Sequence, residues 1–347
     1  MNAMRHAQHR VTFIVGAGTH SDYDMPTGMQ LFAQVVRGGG VSAFEKYPDE
    51  YKRYCTFIEL AGNSLSNIPR QQIRPHWSQE VQARAFRFCT LLGNSGAMSI
   101  DQFLGWNTTD RDLGTQLMAT HLHELQQNAL GISIVGGWNR WLFHRLLKKR
   151  TSVNGAEYWL DWDATRVVTF NYDTLLEAHL SQMIRIASGK VPEIDAWKPE
   201  SIHDLNLPIC HIYGSLKSKM LWSTELHRYM GSLAIDNLNS TSRDITIADG
   251  RSSLDLHATH NAAIQQARAF IEWASIVVFV GFGFDSTNLK VLGYDGQGTT
   301  EKSFRSTNYQ MSATEMQDAS RQLGHTISFA PRGLSCADAM RQFDMLN

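Results

Sequence analysis

Four apolar stretches of this chain end in residues able to do chemistry. "VTFIVGAG" (11–18) closes on Gly16, Ala17 and Gly18 and runs into Thr19. "TRVVTFNYD" (165–173) closes on Asn171 and Asp173, and "LPICHIYGSL" (207–216) carries His211, Tyr213 and Ser215. "SIVVFVGFGF" (275–284) closes on Gly281 and Gly283, with Asp285 and Asn288 just after. Glycines behind an apolar run let backbone N–H groups approach an anion such as a phosphate. An Asn carboxamide can hold water and a hydroxyl without being protonated itself. His211 and Tyr213 share one face of a strand by its period of two. An imidazole accepts a proton near neutral pH, which a phenol with a pKa of about 10 does not do easily. Each residue also has a bland reading: glycines for a tight turn, Asn171 or Asp173 as a helix cap, His211 as a satisfied core histidine.

These residues need a frame that brings them together. The four stretches read as buried strands, short, β-branched and apolar on both faces. "HTISFA" (325–330) is a fifth candidate, and a sixth is sought in 184–197. Helical patterns separate them. Thr174 and Glu177 read as a capping box before "LLEAHLSQM", and Ser312 and Glu315 as another, with Gly324 as the stop. "AIQQARAFIEWA" sets Ile264, Ala267, Ile271 and Ala274 on one face. Strand–helix alternation predicts an α/β fold, a doubly wound Rossmann-like parallel sheet, whose ligands bind beyond the carboxyl ends of the strands.

Residues 41–150 break the alternation and predict a helical insertion after the first strand. One of its helices carries Val81, Ala85, Phe88, Cys89 and Leu92 on one face, another Met118, Leu122, Leu125 and Ala129. A third is "WNRWLFHRLLKK", with "LLKKR" (146–150) as its cationic C-terminus. The expected domains are 1–40 with 151–347, and 41–150. Residues 232–257 and 293–308 read as polar surface loops.

The totals narrow the function classes. The chain has 347 residues, 43% hydrophobic and 19% charged, with formal net charge −1. No basic excess points to nucleic acid. Cys55, Cys89, Cys210 and Cys336 lie far apart with no CxxC pair, which fits a reducing cytoplasm rather than disulfides or a thiolate zinc site. The pairs His121/His123 and His257/His260 lack further ligands, so no metal is expected. The apolar run after Arg5 and Arg10 is barely long enough for a secretory leader, and no run reaches membrane-span length. The expectation is a soluble, cytoplasmic protein.

Gly16-Ala-Gly18 alone is a weak signal, because the dinucleotide fingerprint asks for a third glycine where Ser21 stands. No acidic residue ends an obvious second strand about 20 residues later, so an ordinary nicotinamide dehydrogenase is disfavoured. Four motifs in order are more specific. "GAGTHSDYDMPTG", "VTFNYDTLLE", "HIYGSL" and "VGFGFDSTNL" resemble the sirtuin-like superfamily of NAD-binding proteins, above all its bacterial branch, many of whose members cleave NAD during anti-phage defence. "SIDQFL" (99–104) and "LWSTELHRYM" (221–230) fit the same resemblance.

The resemblance implies that Gly16, Ala17, Gly18 and Thr19 approach the NAD diphosphate and that Pro26 shapes a loop over the nicotinamide half. It places Asn171 at the nicotinamide ribose, has Asp173 hold the neighbouring loop or the nicotinamide side, and counts Ser215 among the cofactor-binding residues. Gly281 and Gly283 would admit the adenosine half, with Asp285 and Asn288 nearby. Two departures stand out. Phe170 and Tyr172 replace residues of the deacylase motif, and Tyr213 stands where the family has its catalytic histidine, leaving His211 or Tyr213 as the base. The deacylases' zinc module is absent. The reading is therefore an NAD glycohydrolase that takes NAD as substrate without metal and yields nicotinamide plus ADP-ribose or its cyclic form. A homo-oligomer and a separate ATPase or sensor as activator are implied partners. A non-catalytic NAD- or ADP-ribose-binding module is the main alternative, and protein deacylation a weaker one.

Overall fold

The computed structural model describes residues 9–37, 74–97, 99–107, 109, 111–130, 136–152, 155–189, 207–216, 258–294, 302–343 and 345. The chain divides into two compact units. The first comprises Met1–Met25, Ala129–Tyr213 and Ser253–Asn347, and the second Pro26–Asn128 and Gly214–Ser252.

The first unit is built on β1 (Val11–Val15), whose five residues are all buried. Such a run suits only the middle of a sheet covered on both faces. β1 pairs in parallel with β4 (Thr165–Thr169) and β6 (Ile276–Val280), with Val15 level with Thr169 and with Val280. β5 (Ile209–His211) pairs with β4, placing His211 beside Thr169. β7 (Ser303–Ser306) and β8 (Ile327–Phe329) follow beyond β6. The parallel sheet runs β5-β4-β1-β6-β7-β8, the 3-2-1-4-5-6 strand order of dinucleotide-binding folds. The order reverses between β1 and β6, so their carboxyl ends flank the switch-point crevice.

Helices cover both faces. Val11, Phe13 and Val15 pack with Trp138, Leu142 and Leu146 of α5 (Trp138–Leu146), with Leu176 and Leu180 of α6 (Leu175–Ala187), and with Ala337 and Met340 of α10 (Cys336–Gln342). Trp138 and Trp141 flank the Phe13 ring at 6.1 and 5.9 Å. On the other face, the Thr12 hydroxyl donates to the Phe270 carbonyl of α7 (Ala258–Trp273) at 2.7 Å. The expected inward residues of α7, Ile264, Ala267, Ile271 and Ala274 just beyond it, are buried. α8 (Ser286–Val291) follows β6, and α9 (Ala313–Leu323) has the expected capping box of Ser312 with Glu315 and ends at Gly324 in the left-handed region.

In the second unit, α1 (Gly28–Val36), α2 (Arg74–Asn94), α3 (Ile100–Trp106) and most of α4 (Arg111–Leu130) are helical. Ala85, Phe88, Cys89, Leu92, Met118 and Leu122 are buried, and Phe88 meets Phe103 edge-on at 5.4 Å. Between β1 and β4 the described chain is thus mainly helical.

Four expectations are corrected. The "LLKKR" cations do not end a helix: α5 stops at Leu146, where Leu147 turns extended, and β2 (Leu147–Ser152) forms an antiparallel hairpin with β3 (Gly155–Leu160). Part of the polar stretch 293–308 is β7, because Phe304 and Ser306 alternate inward and Ser306 satisfies its hydroxyl on the Thr307 carbonyl. Thr174 and Glu177 make no capping box. Asp173 accepts the Leu175 N–H instead, at 3.1 Å, and Glu177 turns to His211. The start of 184–197 continues α6 rather than a strand, and residues from 190 onward lie outside the described ones, as do 221–230 and 232–257.

Candidate functional site

Register brings the chemistry to one edge. Gly16, Phe170, Ile212 and Gly281 each follow the last paired residue of a neighbouring strand. The two glycine turns lock into each other. Gly16 N–H donates to the Val280 carbonyl and Gly18 N–H to the Gly281 carbonyl, both at 3.0 Å. A Cβ on Gly16 would meet the Gly281 oxygen at 2.6 Å, and one on Gly281, where φ is +58°, would meet the Thr19 nitrogen at 2.2 Å. Thr19 is fully buried, and its hydroxyl bridges the Gly16 and Val280 carbonyls at 2.7 and 2.8 Å. These glycines and Thr19 therefore serve turn-to-turn packing. Gly283, by contrast, has open space where a Cβ would stand. Ala17 begins the 3-10 turn Ala17–Tyr23. Asp285 caps α8, accepting from the Thr287 and Asn288 N–H groups.

At the end of β4 lies Asn171, 7% exposed. Its N–H donates to Thr169 Oγ1 at 3.0 Å, and its carbonyl accepts from His211 Nδ1 at 3.0 Å. Among the described residues, neither end of its carboxamide has a hydrogen-bond partner. Buried amides are almost always paired, so this side chain is an exception that calls for an explanation.

His211 is held at both nitrogens, since its Nε2 lies 2.5 Å from Glu177 Oε1. A carbonyl and a carboxylate are both acceptors, so an imidazolium, donating from both ring nitrogens, is the form that would satisfy both contacts. Burial opposes that charge, and the Glu177 carboxylate with its hydrogen bond outweighs it, raising the pKa above the ordinary histidine value. Tyr213, also buried, donates its hydroxyl to Asn288 Oδ1 at 2.7 Å. Its ring meets Phe170 at 5.6 Å, and Phe170 meets Phe282 at 5.2 Å, an apolar wall across the ends of β4, β5 and β6.

Asp173 faces a second histidine. His20 Nδ1 lies 2.9 Å from Asp173 Oδ1, both side chains being buried. Burial penalises both charges, but each partner outweighs it in the other, so His20 is raised and Asp173 lowered. Beyond them Asn139 Nδ2 donates to His179 Nδ1 at 2.9 Å, leaving the proton on Nε2. Burial, reinforced by the His20 charge, pushes His179 down to about 3, so it stays neutral. Tyr23 stacks on it at 4.8 Å.

The structure thus gathers Gly16, Gly18, Thr19 and Gly281 in one junction, Asn171 with His211, and Tyr213 with Asn288. Pro26 and Ser215 belong to the second unit. Sequence reasoning missed His20 and assigned Glu177 to a cap. Every residue from Leu175 to Ser181 is buried in the fold, and a carboxylate in such a helix turn needs a cation. Among the described residues, no cluster of His, Cys, Asp or Glu is arranged to hold a metal, and no helix is long and apolar enough to cross a membrane. Burial pushes the Cys210 and Cys336 thiols up to about 12, removing them as nucleophiles near neutrality. Compared with known proteins, the chain matches no family model and no curated protein.

Proposed function

We propose that the crevice at the carboxyl edge of the sheet binds NAD and breaks its nicotinamide–ribose bond, giving nicotinamide and ADP-ribose or its cyclic form. The unpartnered, buried Asn171 carboxamide carries this reading, because it offers one donor group and one acceptor where the fold places ligands. Asn171 Oδ1 would accept from the attacking water and Nδ2 would donate to a ribose hydroxyl. The glycosidic bond breaks with its electron pair going to the pyridinium nitrogen, so nicotinamide leaves neutral. The water oxygen bonds to the anomeric carbon and releases its extra proton to solvent. The barrier lies in the oxocarbenium-like charge, which positioning and fixed dipoles lower. The Phe170–Phe282 wall would shield the reacting ring from bulk water.

The same proposal includes the role suggested by the motif order: a cytoplasmic, homo-oligomeric effector of bacterial anti-phage defence, switched on by a separate ATPase or sensor. Incubating the purified chain with NAD and measuring free nicotinamide tests the chemistry, with the activating partner added where one is found. A second reading, an NAD- or ADP-ribose-binding module without turnover, draws on a different observation. His211 has both nitrogens committed, and Tyr213 gives its proton to Asn288, so neither stands ready as a base. Tight ADP-ribose binding with no nicotinamide release in any activated assembly would select that reading.

A further inference from the structure

Asparagine is a ready cap for a following helix, and a free Asn171 would turn its carboxamide toward backbone groups to satisfy it. It does not, and its main chain is pinned on both sides. Thr169 Oγ1 takes its N–H, and His211 Nδ1 donates to its carbonyl, both at 3.0 Å. Glu177 of α6 fixes the far side of the ring at 2.5 Å. The Leu175 N–H at the start of α6 is taken by Asp173.

We propose that Glu177 and His211 are a positioning pair: the imidazolium clamps the Asn171 peptide so that its carboxamide stays unpaired and available to the substrate, and His211 takes no proton in the reaction. This rests on the NAD-cleaving reading and deepens it. Charge agrees with the geometry. His211 is faced by Glu177 from α6 and by Asp173 from the loop before it. His20, from the turn after β1, balances Asp173 in turn. Two carboxylates and two imidazoles alternate in a buried set that holds His211 charged.

Three measurements test it. In the wild-type chain without ligand, ¹⁵N-edited NMR of the His211 ring should show both nitrogens protonated at pH 7.5, where a free imidazole is only about a tenth protonated. A neutral ring overturns the proposal. In nicotinamide release, His211→Ala should lower kcat by about 10²-fold with little change in KM. His211→Asn, whose Nδ2 falls where Nδ1 was, should recover to within about tenfold of wild type. Glu177→Gln, able to keep a hydrogen bond to the ring, should lose less than Glu177→Ala. A proton-accepting His211 predicts instead that Asn is as inactive as Ala, which overturns the clamp.

The third measurement is a double-mutant cycle. If His211 acts only through Asn171, His211→Ala should add less than about threefold in an Asn171→Ala background. Full additivity overturns the proposal. Should the wild-type chain release no nicotinamide in its activated state, the NAD-cleaving reading fails, and the NMR measurement still decides whether the charged clamp exists.

Discussion

Asn171 carries a buried carboxamide whose donors and acceptor lack a partner among the described residues, and this has a cost in the absence of ligand. A buried polar group left unsatisfied destabilises by about 1–3 kcal/mol, whereas an apolar group of the same shape can be neutral or better. Asn171→Leu should therefore raise the melting temperature by roughly 2–4 °C while abolishing nicotinamide release. A calorimetric scan beside an NAD assay checks both, and a lowered melting temperature would mean that the carboxamide is satisfied in the folded chain. Asn171→Ala should reduce turnover by about 10²–10³-fold. Gain in stability with loss of function is the signature of a side chain kept for a ligand.

The elements that carry the site contribute two further tests. At the β1–β6 junction, Gly281 has φ +58° and no room for a Cβ against the Thr19 nitrogen. Gly281→Ala should cost about 3 kcal/mol or more, read from chemical denaturation, and Gly283→Ala, with open space, much less. Between the 3-10 turn and the end of β4, His20 and Asp173 make a buried ion pair. His20 is raised, so its contribution is complete below about pH 6.5 and is lost as pH rises through its folded value. Asp173 is lowered, so its contribution is complete above about pH 3.9 and is lost as pH falls through its folded value. The pair is strongest between those limits. Asp173→Asn should lower stability by about 3–5 kcal/mol at pH 6 and flatten the alkaline side of a melting-temperature-against-pH curve. An unchanged curve would show that the pair contributes nothing.

These elements also show what the sequence made legible. β1, β4 and β6 stood out because strands buried on both faces are unbroken β-branched runs. β5 stood out by its apolar run although it is a half-buried edge strand, and the polar ends of β4 and β5 marked Asn171 and His211. β7 was hidden because only Phe304 of "SFRS" is apolar. The β2–β3 hairpin was hidden because Lys148, Lys149 and Arg150 are exposed and look like a helix end. His20 and Glu177 were illegible for another reason: each is neutralised by a residue far along the chain, and only the sheet's register brings the partners together.

At the scale of the whole molecule, the strand order and the site agree. The order reverses between β1 and β6, and the two glycine turns meet there. A ligand binding only the folded state stabilises it by about 2.7 kcal/mol at a hundred times its Kd. ADP-ribose at that excess should raise the melting temperature and slow amide exchange around Gly283 and Asn171. The hairpin β2–β3, a separate two-stranded sheet, should exchange at its unliganded rate. Uniform slowing across the chain, or none, would place the ligand elsewhere.

The interlocked turns also fix when the crevice can exist during synthesis. Gly16 and Gly281 lie far apart along the chain, and each turn is hydrogen-bonded and packed against the other. At translation rates of roughly 5–20 residues per second, the first turn waits tens of seconds for the second to leave the ribosome. No nascent fragment short of β6 has the junction. Whatever the crevice binds is therefore out of reach of a chain made only as far as β5, and any activity built on the junction would begin only after β6 has been made.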